Sequence, residues 1–411
     1  MAEAYEVGGA SFERPGVTGE GVHVAVVDTG IFIGHPGFGD RVTRGLNFEF
    51  TELQQNGPIT AEQWDSYAES TGDSAFNDEI GHGTHVAGII GGSGDGAHVT
   101  YDELAGIAPG VTFTAMRIGA PHNGVVEDVG FEENVIAAYD YMVRHADLGF
   151  DVANNSIGLL PTEPSCSLLG LGPIFGAEGC FGLGEPTDFD AARAVVQAAY
   201  DAGTSVVFSS GNDGPEFGTI GEGPEGLPDV ITVGASCKPS ATLSGCTEDG
   251  ALVGSFSSRG NEDGSGPQVD VIAPGVQILS ATSPSILVPL TNCEDTVEPG
   301  YHCLSGTSMA APHVAGVAAL LIEANPEITP KQIHDCIAGT AVDQLTTGFD
   351  PTTGHGLVDT RAALHCSHQL TAAGVDEPAP ETEPTSLPAT GGGLALFGLL
   401  SLAGAAAFRR S

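Results

Sequence analysis

The sequence predicts an α/β fold in which a doubly wound, mostly parallel sheet is flanked by helices. Short runs rich in valine and isoleucine alternate with amphipathic stretches from about residue 22 to residue 365. The short runs are apolar on both faces, which is typical of buried parallel strands. Because strands that alternate with helices form doubly wound sheets, we expect ligands to bind beyond the carboxyl ends of the strands.

Five runs are predicted as strands, and each is bounded by glycine, proline or aspartate. They are VHVAVVD (22–28), VTFTAMRI (111–118), DVANNSI (151–157), SVVFSSG (205–211) and DVITVGA (229–235). Helical patterns lie between or after them. They are HGTHVAGIIGG from 82, FEENVIAAYDYMVRHA from 131, DFDAARAVVQAAYDAG from 188 and SMAAPHVAGVAALLIEA from 308.

Composition divides the chain into three parts. Residues 1–370 form the predicted α/β domain, and residues 371–386 are rich in proline, glutamate and threonine, which predicts an extended linker. Residues 387–411 contain LPATG, an apolar run as far as Phe408, and then Arg409 and Arg410. An apolar run of this length is near the lower limit of ~17 residues for a membrane span, so we predict a C-terminal apolar helix.

The last part resembles a sortase sorting signal. The resemblance implies that the bond between Thr390 and Gly391 is cut and that Thr390 is joined to the cell wall, with sortase and the cell envelope as partners. A plain membrane anchor is the alternative, and it also predicts an extracellular protein. Residues 1–21 lack the apolar stretch of a signal peptide, so we expect the sequence to be a truncated or processed form.

The charge balance is strongly acidic, with 53 acidic and 12 basic residues and a formal net charge of −41. Nucleic-acid binding depends on neutralisation of phosphates by lysine and arginine, so a nucleic-acid partner is excluded from the prediction. Two interpretations of the acidity stay open: adaptation to high salt, which screens self-repulsion, or solubility at a cell surface. Salt adaptation predicts an unfolding temperature that rises steeply toward molar salt.

The sequence has eight cysteines and no CxxC pair of the kind that holds structural zinc. Their even number predicts disulfides and therefore an oxidising compartment, whereas eight free thiols would indicate a cytosolic protein. Eight cysteines allow about 105 pairings, and we favour bonds between sequence neighbours. These pairs are Cys166 with Cys180, Cys237 with Cys246, Cys293 with Cys303, and Cys336 with Cys366.

Three polar residues lie at ends of predicted elements. Asp28 ends the first strand, and His82 and Ser308 each open a helix. A carboxylate, an imidazole and a hydroxyl at one sheet edge are the parts of a Ser-His-Asp relay, and this chain order occurs among known relays. Each residue also has a simpler interpretation when it is taken alone. Asp28 could form a turn at the end of a strand, and Ser308 could cap a helix. His82 and His85 could bind a metal as a pair.

The blocks VAVVDTGI, GHGTHVAGII and SGTSMAAPHVAG resemble those of the subtilisin-like serine peptidases (subtilases), over roughly residues 20–365. The resemblance implies that Asp28 orients His82, that His82 is the general base and acid, and that Ser308 is the nucleophile. It also implies that Asn212, in SSGNDG, donates with the Ser308 N–H to the oxyanion. We therefore expect a secreted, surface-anchored serine endopeptidase; the alternatives are an inactive binding module or adhesin and a metal-dependent hydrolase.

The resemblance also implies how substrate and metal bind. Protein or peptide substrates would bind as an added extended strand. The enzyme would be a monomer that needs no cofactor for its chemistry, and structural calcium is compatible with the family. Gly37 stands where many subtilases have a calcium-ligating aspartate, so that site is in doubt, and His85 and His313 would be structural. The implied substrate-binding residues are Ser156, Ile157, Gly158, Ser209, Ser210, Gly211 and Gly119.

Overall fold

A seven-stranded sheet lies at the centre of the computed structural model, which describes residues 16–49, 60–94, 105–119, 121–122, 125–126, 131–157, 189–237, 253–284 and 300–373. The strands are β1 (His23–Asp28), β2 (Val42–Asn47), β3 (Thr112–Arg117), β4 (Pro121–His122), β5 (Val125–Val126), β6 (Val152–Asn155), β7 (Ser205–Ser209), β8 (Ile231–Ser236), β9 (Val271–Pro274), β10 (Ile278–Ala281) and β11 (Tyr301–Leu304). The helices are α1 (Ala61–Ser70), α2 (His82–Gly91), α3 (Phe131–Arg144), α4 (Asp190–Asp201), α5 (Thr307–Ala324), α6 (Pro330–Gly339) and α7 (Thr360–Ala373).

The strand order in the central sheet is β2-β3-β1-β6-β7-β8-β9, and all neighbouring pairs are parallel. The predicted α/β fold class is thus confirmed, and the five predicted strands correspond to β1, β3, β6, β7 and β8. The four predicted helices correspond to α2, α3, α4 and α5. The pattern missed β2 and β9, which are the two edge strands of the sheet; β2 has partly exposed residues, and β9 ends in a proline.

Strand β1 shows why the sheet is covered on both faces. Val24 and Val26 belong to the hydrophobic core that includes α2 and α5. Ala25 and Val27 belong to the second core, on the side of α3 and α4. Since successive side chains of a strand point to opposite faces, one apolar run lies in two cores.

Helix α5 is the longest described helix and lies in the first core. Its residues from Thr307 to Leu321 are all buried, including Pro312 within the helix. It is also the single helix in the described parts of the chain that is long and apolar enough to cross a membrane. The predicted linker at 371–386 reaches the described part only at its first residues, and the predicted apolar helix lies outside it.

The described cysteines are all oxidised. Cys336 in α6 and Cys366 in α7 form a disulfide with their Cα atoms 5.6 Å apart. Cys237 and Cys303 are also disulfide-bonded. Their predicted partners at positions 246 and 293 lie outside the described residues, as does the predicted pair at positions 166 and 180.

Arg41 holds together three chain segments at the amino edge of the sheet. Its guanidinium donates to the carbonyls of Gly37 at 2.6 Å, Gly91 at 2.6 Å and Val111 at 3.2 Å. The Gly37 carbonyl also accepts from Ser93 N at 2.8 Å. Because Gly37 supplies no carboxylate and its carbonyl is bonded to a cationic side chain, the calcium site questioned at this position does not fit the residues present.

We predict that Arg41→Met destabilises the fold, because three carbonyls lose a charged donor while the apolar stem is kept. The free energy of unfolding should fall by about 2–4 kcal/mol, measured by denaturant titration. Added calcium should not restore the loss. Arg361→Met is the matched control at an exposed position in α7, and it should stay within about 0.5 kcal/mol of the unaltered protein. Equal stability of the two variants would contradict the role of Arg41.

Candidate active site

Asp28 and His82 form the centre of the site. Asp28 is the last residue of β1, His82 is the first residue of α2, and both are almost fully buried. The His82 Nδ1–H donates to Asp28 Oδ1 at 2.8 Å, and Thr29 N–H donates to the same oxygen at 2.7 Å. This bond assigns the proton to Nδ1, so that Nε2 carries the lone pair of a general base.

Two carboxylates act on the charge of the His82 ring. Burial by itself lowers the pKa of His82, but attraction to Asp28, the hydrogen bond to Asp28 and attraction to Asp78 together raise the pKa above its ordinary value of 6.5. The site therefore favours an imidazolium at His82 more than solvent does. Stabilisation of that cation is what a Ser-His-Asp relay requires when the serine loses its proton.

Gly83 lets α2 approach β1 closely. A Cβ at this position would lie 2.2 Å from the Gly30 carbonyl oxygen and 3.0 Å from Asp28 Oδ1. The first distance is far shorter than a normal contact, so any larger residue would move the helix or the aspartate. The contact between Asp28 and His82 therefore depends on the glycine between His82 and Thr84.

Asp78 is a site residue that sequence reasoning missed. It is buried four residues before His82, and it accepts hydrogen bonds from Thr29, Gly81 and Thr84. It lies in the same DEIGHGTHVAG block, but no periodicity or spacing separates it from the many other acidic residues of this chain. Only the folded contacts distinguish it.

Ser308 is the second residue of α5 and is also buried. Its hydroxyl donates to the Ser156 carbonyl at 3.0 Å, and the Ser156 hydroxyl donates to the Ser308 carbonyl at 2.8 Å. Among the described residues, Ser308 makes no hydrogen bond to His82. Catalytic hydrogen bonds of unliganded enzymes are often unformed until substrate binds, so this arrangement leaves Ser308 a candidate nucleophile that must turn toward His82.

Sheet register places Asp28 and Ser156 at the carboxyl ends of adjacent strands. Val27 pairs with Asn155 at the end of the parallel β1–β6 ladder, and Asp28 and Ser156 are the residues that follow this last pair. Asp28 holds His82, and Ser156 holds Ser308. The carboxyl ends of two adjacent strands thus bring the carboxylate, the imidazole and the hydroxyl to one edge of the sheet.

Asn212 lies beside Ser308 and is oriented by Thr307. Thr307 N–H donates to Asn212 Oδ1 at 2.9 Å, and the Thr307 hydroxyl lies 3.1 Å from the same oxygen. A Cβ at Gly306 would be 3.7 Å from Asn212 Nδ2 and 3.7 Å from Ser308 N. The side-chain amide of Asn212 and the Ser308 N–H, which lies in the first turn of α5, are thus close to the same glycine.

The implied substrate-binding residues follow the same strand ends. Ser156 and Ile157 come directly after β6, and Ser209 ends β7 and donates from its hydroxyl to the Ile157 carbonyl at 3.1 Å. Ser210 and Gly211 follow β7, and Gly211 has a φ of +100° that favours glycine. Gly119 follows β3, whereas the residue at position 158 lies outside the described part.

The other two buried histidines of this region bond to main-chain carbonyls. His85 Nε2 lies 3.0 Å from the carbonyl oxygens of Ile278 and His302, and His313 Nδ1 lies 2.8 Å from that of Met309. Burial lowers the pKa of His85 to about 3 and that of His313 to about 4, so both are neutral donors. His82 and His85 are thus directed to different partners, and the described residues contain no group of three or more metal-ligating side chains.

Comparisons with known proteins point to one family. A model of the subtilase family matches residues 19–356. The chain is 30% identical to serine protease AprX of Bacillus subtilis (strain 168) over 327 residues, which are 78% of this chain and 61% of that protein. The chain thus spans less than two thirds of the length of this curated relative.

Solved structures give the same result. Fervidolysin from Fervidobacterium pennivorans, described as a keratinolytic enzyme related to subtilisin, is similar with a TM-score of 0.59 and 28% identity; the match covers 85% of this chain and 43% of that chain. A cold-adapted subtilisin-like serine proteinase is similar with a TM-score of 0.56 and 26% identity, and the match covers 87% of this chain and 98% of that chain.

We predict that Gly83→Ala separates Asp28 from His82, because the added methyl group overlaps the Gly30 carbonyl. The low-field ¹H NMR signal of the His82 Nδ1 proton should be lost or shifted, and overpacking should lower the free energy of unfolding by about 1–3 kcal/mol. Gly339→Ala is the control, since its Cβ would meet nothing within 4 Å. That control should keep the signal, and an unchanged signal in Gly83→Ala would contradict the packing argument.

Proposed function

The chain belongs to the subtilase family, and from this membership and the geometry of the site we propose that it is a serine endopeptidase. It hydrolyses peptide bonds through an acyl-enzyme intermediate, with protein or peptide substrates. The observation that carries the proposal is the buried Asp28–His82 pair at the same sheet edge as Ser308 and Asn212. A carboxylate, a base, a hydroxyl and amide donors are the groups that acyl transfer needs.

The proposed reaction begins when an extended peptide lies along Ser156 and Ile157 as an added strand. The Ser308 hydroxyl leaves the Ser156 carbonyl and turns to His82 Nε2, which removes its proton as Oγ attacks the peptide carbonyl carbon. Asn212 and the Ser308 N–H stabilise the oxyanion. The His82 imidazolium then donates its proton to the leaving amine, and a water molecule, deprotonated by His82, releases the acyl group from Ser308.

We also propose that the protein is exported and anchored to the cell envelope through its C-terminus. The oxidised state of Cys237, Cys303, Cys336 and Cys366 supports an oxidising compartment. The order of LPATG, apolar run and basic pair supports sortase as the partner that joins Thr390 to the wall. Calcium in a structural role elsewhere in the chain stays part of the proposal, with no part in the chemistry.

Ser308→Ala should abolish covalent labelling by a fluorophosphonate probe and lower kcat/KM on a peptide substrate by about 10⁴-fold or more, since the nucleophile is lost. Ser70→Ala is the control because Ser70 is exposed on α1. Labelling that survives in Ser308→Ala would reject the nucleophile. An unlabelled natural protein that still binds peptides would instead support the inactive binding module. Activity that is lost to chelators and is insensitive to the fluorophosphonate probe would support a metal-dependent hydrolase.

Deletion of residues 387–391 should change how the protein is held on the cell. The unaltered protein should resist boiling detergent until the wall is digested, because its anchor is covalent, whereas the deletion variant should be extracted by detergent through its remaining apolar run. An equal deletion within 371–386 is the control and should leave the anchor intact. Extraction of the unaltered protein by detergent alone would favour the plain membrane anchor.

A further inference from the structure

Asp78 is a fully buried carboxylate that the proposed reaction does not use. It accepts hydrogen bonds on Oδ1 from Thr29 Oγ1 at 2.7 Å and Gly81 N at 2.9 Å. It accepts two more on Oδ2, from Thr84 N at 2.8 Å and from the Thr84 hydroxyl. The residue also has a φ of +37°, a conformation that aspartate tolerates better than most residues. Four donors around one carboxylate fill its acceptor positions.

Burial raises the pKa of Asp78 above its ordinary value, whereas the hydrogen bonds around the carboxylate favour its ionised form. The Thr29 hydroxyl already accepts from Gly83 N at 2.9 Å, and the Thr84 hydroxyl accepts from Phe32 N at 2.9 Å. Each hydroxyl hydrogen is therefore left to donate to Asp78, and the other two donors are fixed backbone N–H groups. Burial raises the pKa of Asp78, and the hydrogen bonds from Thr84, Thr29 and Gly81 oppose that rise. A proton on Asp78 would face a donor on every side.

The contacts of Asp78 join the two halves of the Asp28–His82 pair. Thr29 follows Asp28 in the chain, and its N–H also bonds to the Asp28 carboxylate. Gly81, Gly83 and Thr84 flank His82 at the start of α2. Asp78 is thus bonded to the residues next to each partner, although Thr29 lies 49 positions away from it in sequence. A negative charge at this place also faces the positive end of the α2 dipole.

We propose that Asp78 is a positioning residue with two effects: it keeps the end of β1 and the start of α2 in register, and its charge stabilises the His82 imidazolium. The role rests on the proposed peptidase function, in which that imidazolium forms during acyl transfer. Asp78 touches neither substrate nor the reacting atoms, and acts through Thr29, Thr84 and the electrostatic field at His82.

Few other groups near His82 change charge between pH 5 and 9. On β1, His23 has a pKa lowered to about 4 by burial and by the nearby Arg44. His85 on α2 and His313 on α5 are neutral in this range. Glu323 lies at the far end of α5, where it accepts from Thr18 N at 2.6 Å. Strand β10, which also packs on α2, carries no titratable residue.

An ion-pair cluster lies next to Asp78 in the chain. Arg117, the last residue of β3, is aligned with Asp28 and donates to Glu79 Oε2 at 2.6 Å. Its other terminal nitrogen lies 3.3 Å from Glu49. The carboxylates whose attraction raises the pKa of His82 are Asp28 and Asp78, and the carboxylates of this cluster are not among them.

Asp78→Asn tests the charge. Removal of a negative charge should lower the pKa of His82 by about one unit, because the raised pKa of His82 depends partly on attraction to Asp78. A general base works only when unprotonated, so the acid limb of kcat/KM should move about one unit toward lower pH while the plateau falls about tenfold. Titration of the His82 ring followed by ¹H NMR gives the same pKa without reference to activity.

Two further variants separate charge from structure. Asp350→Asn is the matched control, since Asp350 is also buried and accepts from the backbone of Thr352 and Thr353 and from the Thr353 hydroxyl, but far from His82 in sequence and in contacts. Asp350→Asn should leave both the pKa of His82 and the acid limb of the kcat/KM profile unchanged. Thr84→Val keeps the Asp78 charge and removes both hydrogen bonds of the Thr84 hydroxyl, the one to Asp78 and the one from Phe32 N. It should therefore lower the plateau of kcat/KM without moving the acid limb to lower pH.

Each result of these measurements either supports or overturns the positioning role of Asp78. An unmoved His82 pKa in Asp78→Asn, or an equal shift in Asp350→Asn, overturns the proposal. If Asp78→Asn does not fold, two other results would overturn the proposal. One is a His82 pKa below 6.5 in the unaltered protein, and the other is an acid limb of kcat/KM that moves to lower pH in Thr84→Val. If the unaltered protein hydrolyses and labels nothing, the peptidase function fails, while the NMR titration still decides the role of Asp78.

Discussion

The buried hydrogen bond between His82 and Asp28 is the interaction on which the rest of the site depends. Either side chain alone would be a polar group removed from water, which is unfavourable unless it has a partner. Joined at 2.8 Å, His82 Nδ1 and Asp28 Oδ1 satisfy one another, and the bond assigns the proton of the ring. The last residue of β1 and the first residue of α2 must therefore touch, and the packing of α2 on the sheet is arranged around that contact.

Small and hydroxyl-bearing residues make this contact possible. Gly83 leaves room for the helix to approach β1, and Thr29 and Thr84 direct hydrogen bonds to Asp78. Thr307 does the same for Asn212 at the start of α5. These residues bring no charge of their own, so they position the ionisable groups without competing with them. The parallel sheet supplies the frame, because its strand ends lie at one edge.

Much of this arrangement was predictable from sequence. The run VHVAVVD predicted β1, and its alternation of side chains between two cores explains why it is apolar throughout. Asp28 ends β1, and His82 and Ser308 lie in the first turns of α2 and α5, which are the element ends where the sequence placed them. Asp78 was not predictable, since an acidic residue in a chain with 53 of them carries no local signal. The sequence pattern also could not predict that the Ser308 hydroxyl bonds to the Ser156 carbonyl and not to His82.

Sequence by itself determined the kind and order of the central elements and the chemistry of the side chains at their ends. Hydrophobic period and residue type are local properties, so they can be seen without the fold. Only the tertiary structure decided that Asp78 bonds to the neighbours of both Asp28 and His82, that Thr307 orients Asn212, and that Arg41 occupies the carbonyl oxygen of Gly37. These contacts join residues far apart in the chain, and their directions are set by how helices and strands pack.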